Sequence, residues 1–513
     1  SSLIVIDLGD FSRIYQNWDS LSLERIDHMN QATLVQMDQF LGSLLERIDP
    51  QEDLLVVTVP SPGYQLNQES EADKITWTVL YNANLPSGLL YSPATRRPGL
   101  IDNTDLVPAL LNWLGCEVPE GVLGRLPSIA SSNAPSLVTL KAMAEQLSVN
   151  NATRPIVTKA YISLQIILLI LAGLLLWKQF KFGQYLKPCL FIVPLMPLVL
   201  LCLPLLPGSA SWLILLELGL LTALLTVLFN KLHKRTGQGW LILGLLLVGL
   251  ILGDTLGSSS LQKASLFSYD PIVGARFYGI GNEYMGVCIG SLILGLTSLY
   301  CHLQQHQKLF WSGAGLLCLL AVWIMALPSL GTNVGGSIAS MAAYLFLILL
   351  LSERKINFKI ICGIIGLILI GMTGFIAYDL SRPAELQSHM GQAASLILSG
   401  GWAEVQEIIV RKLETNLRLL QTSTWGRGFI LELLLLIFLY NQNNNKALKS
   451  TFKKWRNQNP IFQKGLTAIL LGAFVAAVFN DSGILSAAIC TSYAIFPLLY
   501  GLWDDLYPPI NHQ

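Results

Sequence analysis

The strongest constraint on this chain is a succession of apolar runs long enough to cross a bilayer. A transmembrane helix needs about 17–25 mostly apolar residues. Eleven runs qualify or come near it, over roughly 160–177, 188–206, 211–229, 239–256, 281–300, 309–327, 335–351, 360–378, 427–440, 465–480 and 484–503. The ninth and tenth are short. Soluble domains carry roughly 25% charged residues, whereas here 13% are charged, 52% are hydrophobic and the mean hydropathy is +0.53. That balance excludes a disordered chain, a nucleic-acid binder with a basic surface and a single soluble enzyme. The predicted fold is a polytopic α-helical membrane protein with about 11 transmembrane helices.

Charge divides the chain in two. Residues 1–155 hold 18 Asp/Glu and 9 Lys/Arg, whereas residues 156–513 hold 14 and 24. An acidic head therefore precedes a basic, multipass body. The chain begins Ser1-Ser2-Leu3 without Met, and so reads as a fragment or a processed form. Sixteen of the body's 24 basic residues fall in alternate loops, the largest group being Lys446, Lys449, Lys453, Lys454, Arg456 and Lys464. Lys and Arg collect on the cytoplasmic side. The expected localisation is the plasma (inner) membrane, with the N-terminal head outside and the C-terminus in the cytoplasm.

The polar motifs then fall at the outer ends of the spans. The first is GARFYGIGNEYMG, Gly274 to Gly286, in which Arg276, Tyr278, Asn282 and Glu283 stand at the mouth of an apolar helix. Glu283 would lie in the first turn, where the helix dipole favours a carboxylate. Either Arg276 and Glu283 pair structurally beside a glycine packing seam, or they face a wet cavity. The second is Pro328 to Gly336, where Pro and Gly break the chain and Thr332 and Asn333 add hydrogen-bonding side chains. It is either a tight turn or an anion-binding backbone lining a cavity. The third is Asn480-Asp481-Ser482-Gly483, where Asn480 and Asp481 cap the last helix or Asp481 reaches Arg276, Arg411 or Arg427.

A long external loop, 379–426, holds His389 and an amphipathic stretch, Trp402 to Leu420, expected to lie in the outer interface. Arg411 and Lys412 there can meet lipid phosphate or serve as anchors. Glu217 is the one charge read as mid-membrane, either a proton-coupling carboxylate or one facing a partner helix. No C-x-x-C or Cys/His spacing supports a disulfide framework or zinc, no metal site is expected, and no cofactor is indicated. With no G-x-x-x-x-G-K-[ST] loop, a nucleotide-driven cytosolic mechanism is not expected.

In the head, Leu3 to Asp10 reads as a buried strand, 27–48 as a helix, Leu54 to Val59 as a strand and Asp105 to Leu114 as a helix. The alternation suggests an α/β domain with a sheet. The segments Met37 to Glu46, Leu54 to Thr58, Gly99 to Pro108 and Leu114-Gly115 resemble the C-terminal part of the alkaline phosphatase superfamily, in its phosphoglycerate-mutase-like branch, over about 125 residues. This resemblance implies a partial α/β extracytoplasmic domain. It departs where the family places an Asp-His metal pair, since Val59-Pro60-Ser61-Pro62 stands there, and a further metal-binding His is also missing. The family's Ser/Thr nucleophile would lie upstream of Ser1. Asp7 and Asp10 remain as possible ligands, too few for two metals, so the resemblance implies a degenerate, non-catalytic head. Ser92 to Arg97 either binds an anionic group or forms a solvated basic turn. The body, through ARFYGIGNEYMG, LGTNVGG, SHMG and NDSG, resembles an uncharacterised family of bacterial multipass membrane proteins.

Three functions compete. One is a cell-envelope protein handling a phosphate-bearing lipid or lipid-linked glycan at the outer face, with Arg276 and Arg411 binding phosphate and Glu283, Asp481 or His389 moving protons. Another is a proton- or ion-coupled transporter. The last is a structural or sensing protein. The lipid bilayer is the expected partner, and nucleic acid is not.

Overall fold

The computed structural model describes residues 2–60, 75–119, 121–131, 136–178, 183–274, 276–383, 387, 391, 402–441 and 445–506. The chain forms two compact units. One comprises Ser1–Thr153 and Asp270–Phe277; the other comprises Arg154–Tyr269 and Tyr278–Gln513.

The first unit contains helices α1 (Asp10–Gln16), α2 (Leu23–Leu45) and α3 (Leu106–Trp113), with strands β1 (Leu55–Thr58), β2 (Thr78–Tyr81), β3 (Leu89–Tyr91) and β4 (Ser128–Ala130). Ser22 caps α2 by accepting from the Arg25 amide at 3.3 Å. The strands form two separate antiparallel pairs, β1 with β2 and β3 with β4. A phosphatase-like α/β sheet is therefore not what the described residues display. Leu3 to Ile6 joins neither pair, and Ile4 and Val5 are 79% and 82% exposed. The expected buried strand has the right apolar residues but, among the described residues, no neighbouring strand to complete its ladder. Asp102 and Asp105 form a capping box ahead of α3, and the buried Asp105 also accepts from the Arg125 amide at 2.7 Å. Asp10 pairs with Arg13 at 2.6 Å.

The helix α4 (Ser136–Lys178) carries the chain from the first unit into the second. Then follow α5 (Ile192–Cys202), α6 (Ser211–Thr236), α7 (Gly239–Leu256), the short α8 (Ser260–Ala264), α9 (Asn282–His302), α10 (Gln307–Ala326), α11 (Val334–Leu351) and α12 (Phe358–Leu380). The remainder are α13 (Trp402–Thr422), α14 (Thr424–Tyr440), α15 (Lys446–Gln458), α16 (Pro460–Phe479) and α17 (Gly483–Leu506). Among the described residues, ten helices are long and apolar enough to cross a membrane, or eleven if the bent pair α13–α14 is one span. That pair turns by 79° at Ser423, whose hydroxyl caps α14 by accepting from the Gly426 amide. The fold is thus a polytopic helical one, and the break falls where the amphipathic stretch gives way to the apolar ninth run.

Burial ranks the helices of this unit. In the most apolar window of α17, 94% of residues are buried, against 78% in α9 but 11% in α6 and 6% in α12. The pair α9 and α17 forms the centre, and α6 and α12 lie at the rim. Close approach at the centre depends on glycine. A Cβ on Gly286 would lie 2.5 Å from the Ser486 carbonyl oxygen, and one on Gly290 would lie 2.7 Å from that of Cys490. We therefore expect Gly286→Ala to destabilise by about 1–3 kcal/mol through overpacking. Gly249→Ala, with open space around it in α7, should be neutral or gain up to about 1 kcal/mol of helix propensity. Thermal unfolding of the purified proteins in detergent measures both; equal behaviour would argue against the seam.

The end of the unit holding Lys187 and α15 is sealed by aromatic rings. Phe191 stacks on Trp240 at 3.8 Å, Tyr500 meets both edge-on, and Lys187 lies over Tyr500 while pairing with Asp504. The lysine-rich segment, the largest group of basic residues in the sequence, folds into α15, which buries Leu448, Phe452 and Trp455.

Candidate functional site

The opposite end of this unit is built around the broken segment before α9. Gly279 takes φ +84°, a conformation open to glycine, and its carbonyl accepts from the Tyr269 hydroxyl. The Ile280 amide donates to the Gly331 carbonyl at 2.7 Å, and the Ile280 carbonyl accepts from Asn333 Nδ2 at 2.9 Å. The loop after Pro328 thus pairs both backbone groups of a residue with no accessible surface.

That loop is itself tightly tied. Gly331 and Asn333 donate their amides to Ile324 and Met325 at 2.9 Å each, and Thr332, at φ +48°, bonds back to the Pro328 carbonyl through its hydroxyl. The Asn333 side chain also caps α11, accepting from the Gly336 amide at 2.8 Å, and lies 3.4 Å from Asn282 Oδ1. Thr332 and Asn333 therefore fix the loop, and their polar atoms bond to protein.

Glu283 sits in the first turn of α9, half-buried, 3.5 Å from Arg154 Nη2. Arg154 also donates to the Tyr269 carbonyl at 2.9 Å and the Ser268 carbonyl at 2.6 Å. The Ser268 hydroxyl is buried and has no hydrogen-bond partner among the described residues. Arg154, a residue that the sequence pattern does not single out, thus places a guanidinium beside Glu283. Arg276 belongs to the other unit, where Asp270 and Arg276 close an antiparallel bridge. Tyr278 is half-buried.

A second cluster joins α9, α13, α16 and α17. The Ser486 hydroxyl donates to the Asn282 carbonyl at 2.7 Å. Asn416 of α13 donates to the Asn480 carbonyl at 2.6 Å and accepts from the Ile484 amide at 3.1 Å, so Asn416 caps the last helix. Lys412, one turn earlier, donates to the Phe479 carbonyl at 2.8 Å and lies 3.8 Å from Asp481. The partner of Asp481 is therefore Lys412, not an arginine. Asp481 is 66% exposed, and surface pairs contribute about 0–1 kcal/mol, so Asp481→Asn should change stability by less than about 1 kcal/mol in a denaturant titration. Arg411 is exposed. His389 lies outside the described residues.

The starts of α9, α11 and α17 thus meet at one end, with two cations, Arg154 and Lys412, held at their carbonyl-rich edges. Helix N-termini and cations together favour an anion. Among the described residues no group of three His, Cys, Asp or Glu is placed to hold a metal ion.

Deeper in the unit lies a carboxyl that the sequence reading passed over. Glu432 of α14 has no accessible surface, accepts from Gln165 Nε2 of α4 at 2.8 Å, and bonds to the Thr491 hydroxyl of α17. Gln165 Oε1 is buried without a partner among the described residues. Glu217, by contrast, is the seventh residue of the 26-residue α6, close to Gly208, near a helix end and not mid-span.

In the head, the Ser92 to Arg97 turn is held from within. The Ser92 hydroxyl accepts from the Ala94 amide at 3.0 Å and the buried Thr95 hydroxyl donates to the Leu100 carbonyl. Burial pushes the Arg97 guanidinium below its usual range. These two hydroxyls are engaged by the turn itself.

No family model, curated protein or solved structure matches the chain.

Proposed function

We propose that this chain is an integral membrane protein of the cell envelope that handles a phosphate-bearing lipid or a lipid-linked glycan at the outer face. The observation that carries the reading is the Arg154–Glu283 pair at the meeting point of three helix starts. A guanidinium suits phosphate through paired N–H donors, and a carboxylate within reach of the same ligand can accept or return a proton. The distribution of lysine and arginine assigns this end to the outside, where Lys412 and the exposed Arg411 add positive charge next to the lipid surface.

Turnover of a radiolabelled polyprenyl-phosphate-linked sugar by the purified protein tests this reading. Product that disappears with Glu283→Gln, while the variant elutes like wild type, supports it; absence of turnover by the folded wild type removes it.

A proton-coupled transporter is the second reading, and one observation favours it. A transporter needs a titratable group inside the membrane, and Glu432 is such a group, enclosed by three helices. Proton-driven solute uptake into proteoliposomes, lost in Glu432→Gln, would select this reading over the first.

A further inference from the structure

Along the outside of α4 and α14 runs a groove of about 590 Å³. Its walls are apolar and open to the surrounding medium: Ile167, Ile430 and Leu434 are 52%, 40% and 54% exposed. Its lining becomes polar toward the start of α14, where Ser163, Thr424 and Arg427 contribute. Thr424, Arg427, Ile430 and Leu434 follow one another at helical spacing on α14, so the polar residues sit at one end and the hydrocarbon wall runs away from them.

Arg427 is the unusual member. It is exposed in the first turn of α14, and its guanidinium has no hydrogen-bond or ion-pair partner among the described residues. The positive end of a helix disfavours a cation, and an arginine at the edge of a membrane span reaches out to the interface, where lipid phosphates lie. An anion placed against the groove would offset the dipole's cost. The apolar trough below it calls for a ligand carrying hydrocarbon on the same molecule as the charge.

We infer that this groove binds a phosphate-bearing lipid, with the phosphate on Arg427 beside the Thr424 and Ser163 hydroxyls and a hydrocarbon chain along Ile167, Ile430 and Leu434. It lies on α4 and α14, the helices that also hold Gln165 and Glu432. The inference deepens the lipid reading proposed above and rests on it for the ligand's class, but it concerns binding alone.

The experiment uses the full chain in detergent micelles and phosphatidic acid with a photoactivatable diazirine in one acyl chain. Labelled peptides are expected from α4 and α14. Arg427→Ala should weaken labelling about tenfold or more, the scale of one charge-assisted hydrogen bond, and Arg427→Lys should lose less. Leu434→Trp, at a membrane-facing position where folding is tolerant, should block the trough and reduce labelling with Arg427 intact. Unlabelled phosphatidic acid should compete, whereas inorganic phosphate and diacylglycerol should not. Equal competition by inorganic phosphate would mean a free-anion site. Equal competition by diacylglycerol would mean an apolar crevice without headgroup recognition. Either outcome, or unchanged labelling in both variants, overturns the inference. Labelling that persists in a protein without turnover keeps the groove and discards only the enzymatic reading.

Discussion

Arg154→Ala is expected to be among the most damaging single substitutions in the second unit, costing on the order of 3 kcal/mol. The guanidinium donates to two backbone carbonyls, at Ser268 and Tyr269, and pairs with Glu283 at 3.5 Å. Its removal takes a donor from two backbone carbonyls and a guanidinium from beside the half-buried carboxylate at the entrance of α9. Arg154→Lys should recover only part of the loss, because one ammonium cannot reproduce the planar fork that meets both carbonyls. Adding Glu283→Gln to Arg154→Ala should restore part of the stability, since the carboxylate that lost this guanidinium is then neutral, whereas the two carbonyls still lack the Arg154 donors. A double-mutant cycle followed by denaturant unfolding reads this coupling directly. If Arg154→Ala unfolds no earlier than Arg411→Ala, whose side chain is exposed, the pair is not what holds this end together.

The spans were legible because their signal is local. A run of apolar residues needs no knowledge of its neighbours to be placed in a membrane, and each of the eleven runs falls on a helix. The polar interruptions were legible for the same reason: Gly279, Gly331 and Asn333 break the pattern where the backbone does turn. Partners were not legible. Arg154 lies 129 positions before Glu283 in a stretch with no apolar pattern to mark it. Lys412 stood out only as a lipid contact or anchor, and its bond to the Phe479 carbonyl was hidden; Asn416, inside the same amphipathic helix, looks like an ordinary polar-face residue. Glu217 and Glu432 give the clearest contrast. Each is a lone carboxylate in a leucine-rich run, and nothing local separates them. What separates them is the helix that carries each, because α6 lies at the rim and α14 packs on the central α17. The strand expected at the start of the head failed for a related reason, while the strand at Leu55–Thr58 and the helix at Leu106–Trp113 formed where their patterns lie. Leu3 to Ile6 has a strand's composition, but a strand exists only through its ladder.

Glu432 should accept one substitution and reject others, and the difference identifies its role. Its two oxygens meet an amide donor on Gln165 and a hydroxyl on Thr491, with no accessible surface left. Glutamine has the same length, an oxygen for Gln165 and an NH₂ that can donate to the Thr491 hydroxyl. Glu432→Gln should therefore stay within about 1 kcal/mol of wild type, the value of a single hydrogen bond exchanged for another. Glu432→Ala leaves the buried Gln165 amide unpaired at about 1–3 kcal/mol, while the Thr491 hydroxyl keeps its bond to the Ala487 carbonyl at 2.9 Å, and the side-chain volume it vacates adds to the loss. Glu432→Leu fills that volume but still strands the Gln165 amide, so it should fall between the two. Unfolding in a mixed-micelle denaturant titration orders the three variants. Stability answers only the structural question, because glutamine cannot carry a proton. If Glu432→Gln is as stable as wild type yet inactive in proton-driven uptake, the carboxyl serves transport. If it is stable and uptake persists, then Glu432, Gln165 and Thr491 join three helices and do nothing else, and the outer cluster around Arg154 and Glu283 remains the place to look for chemistry.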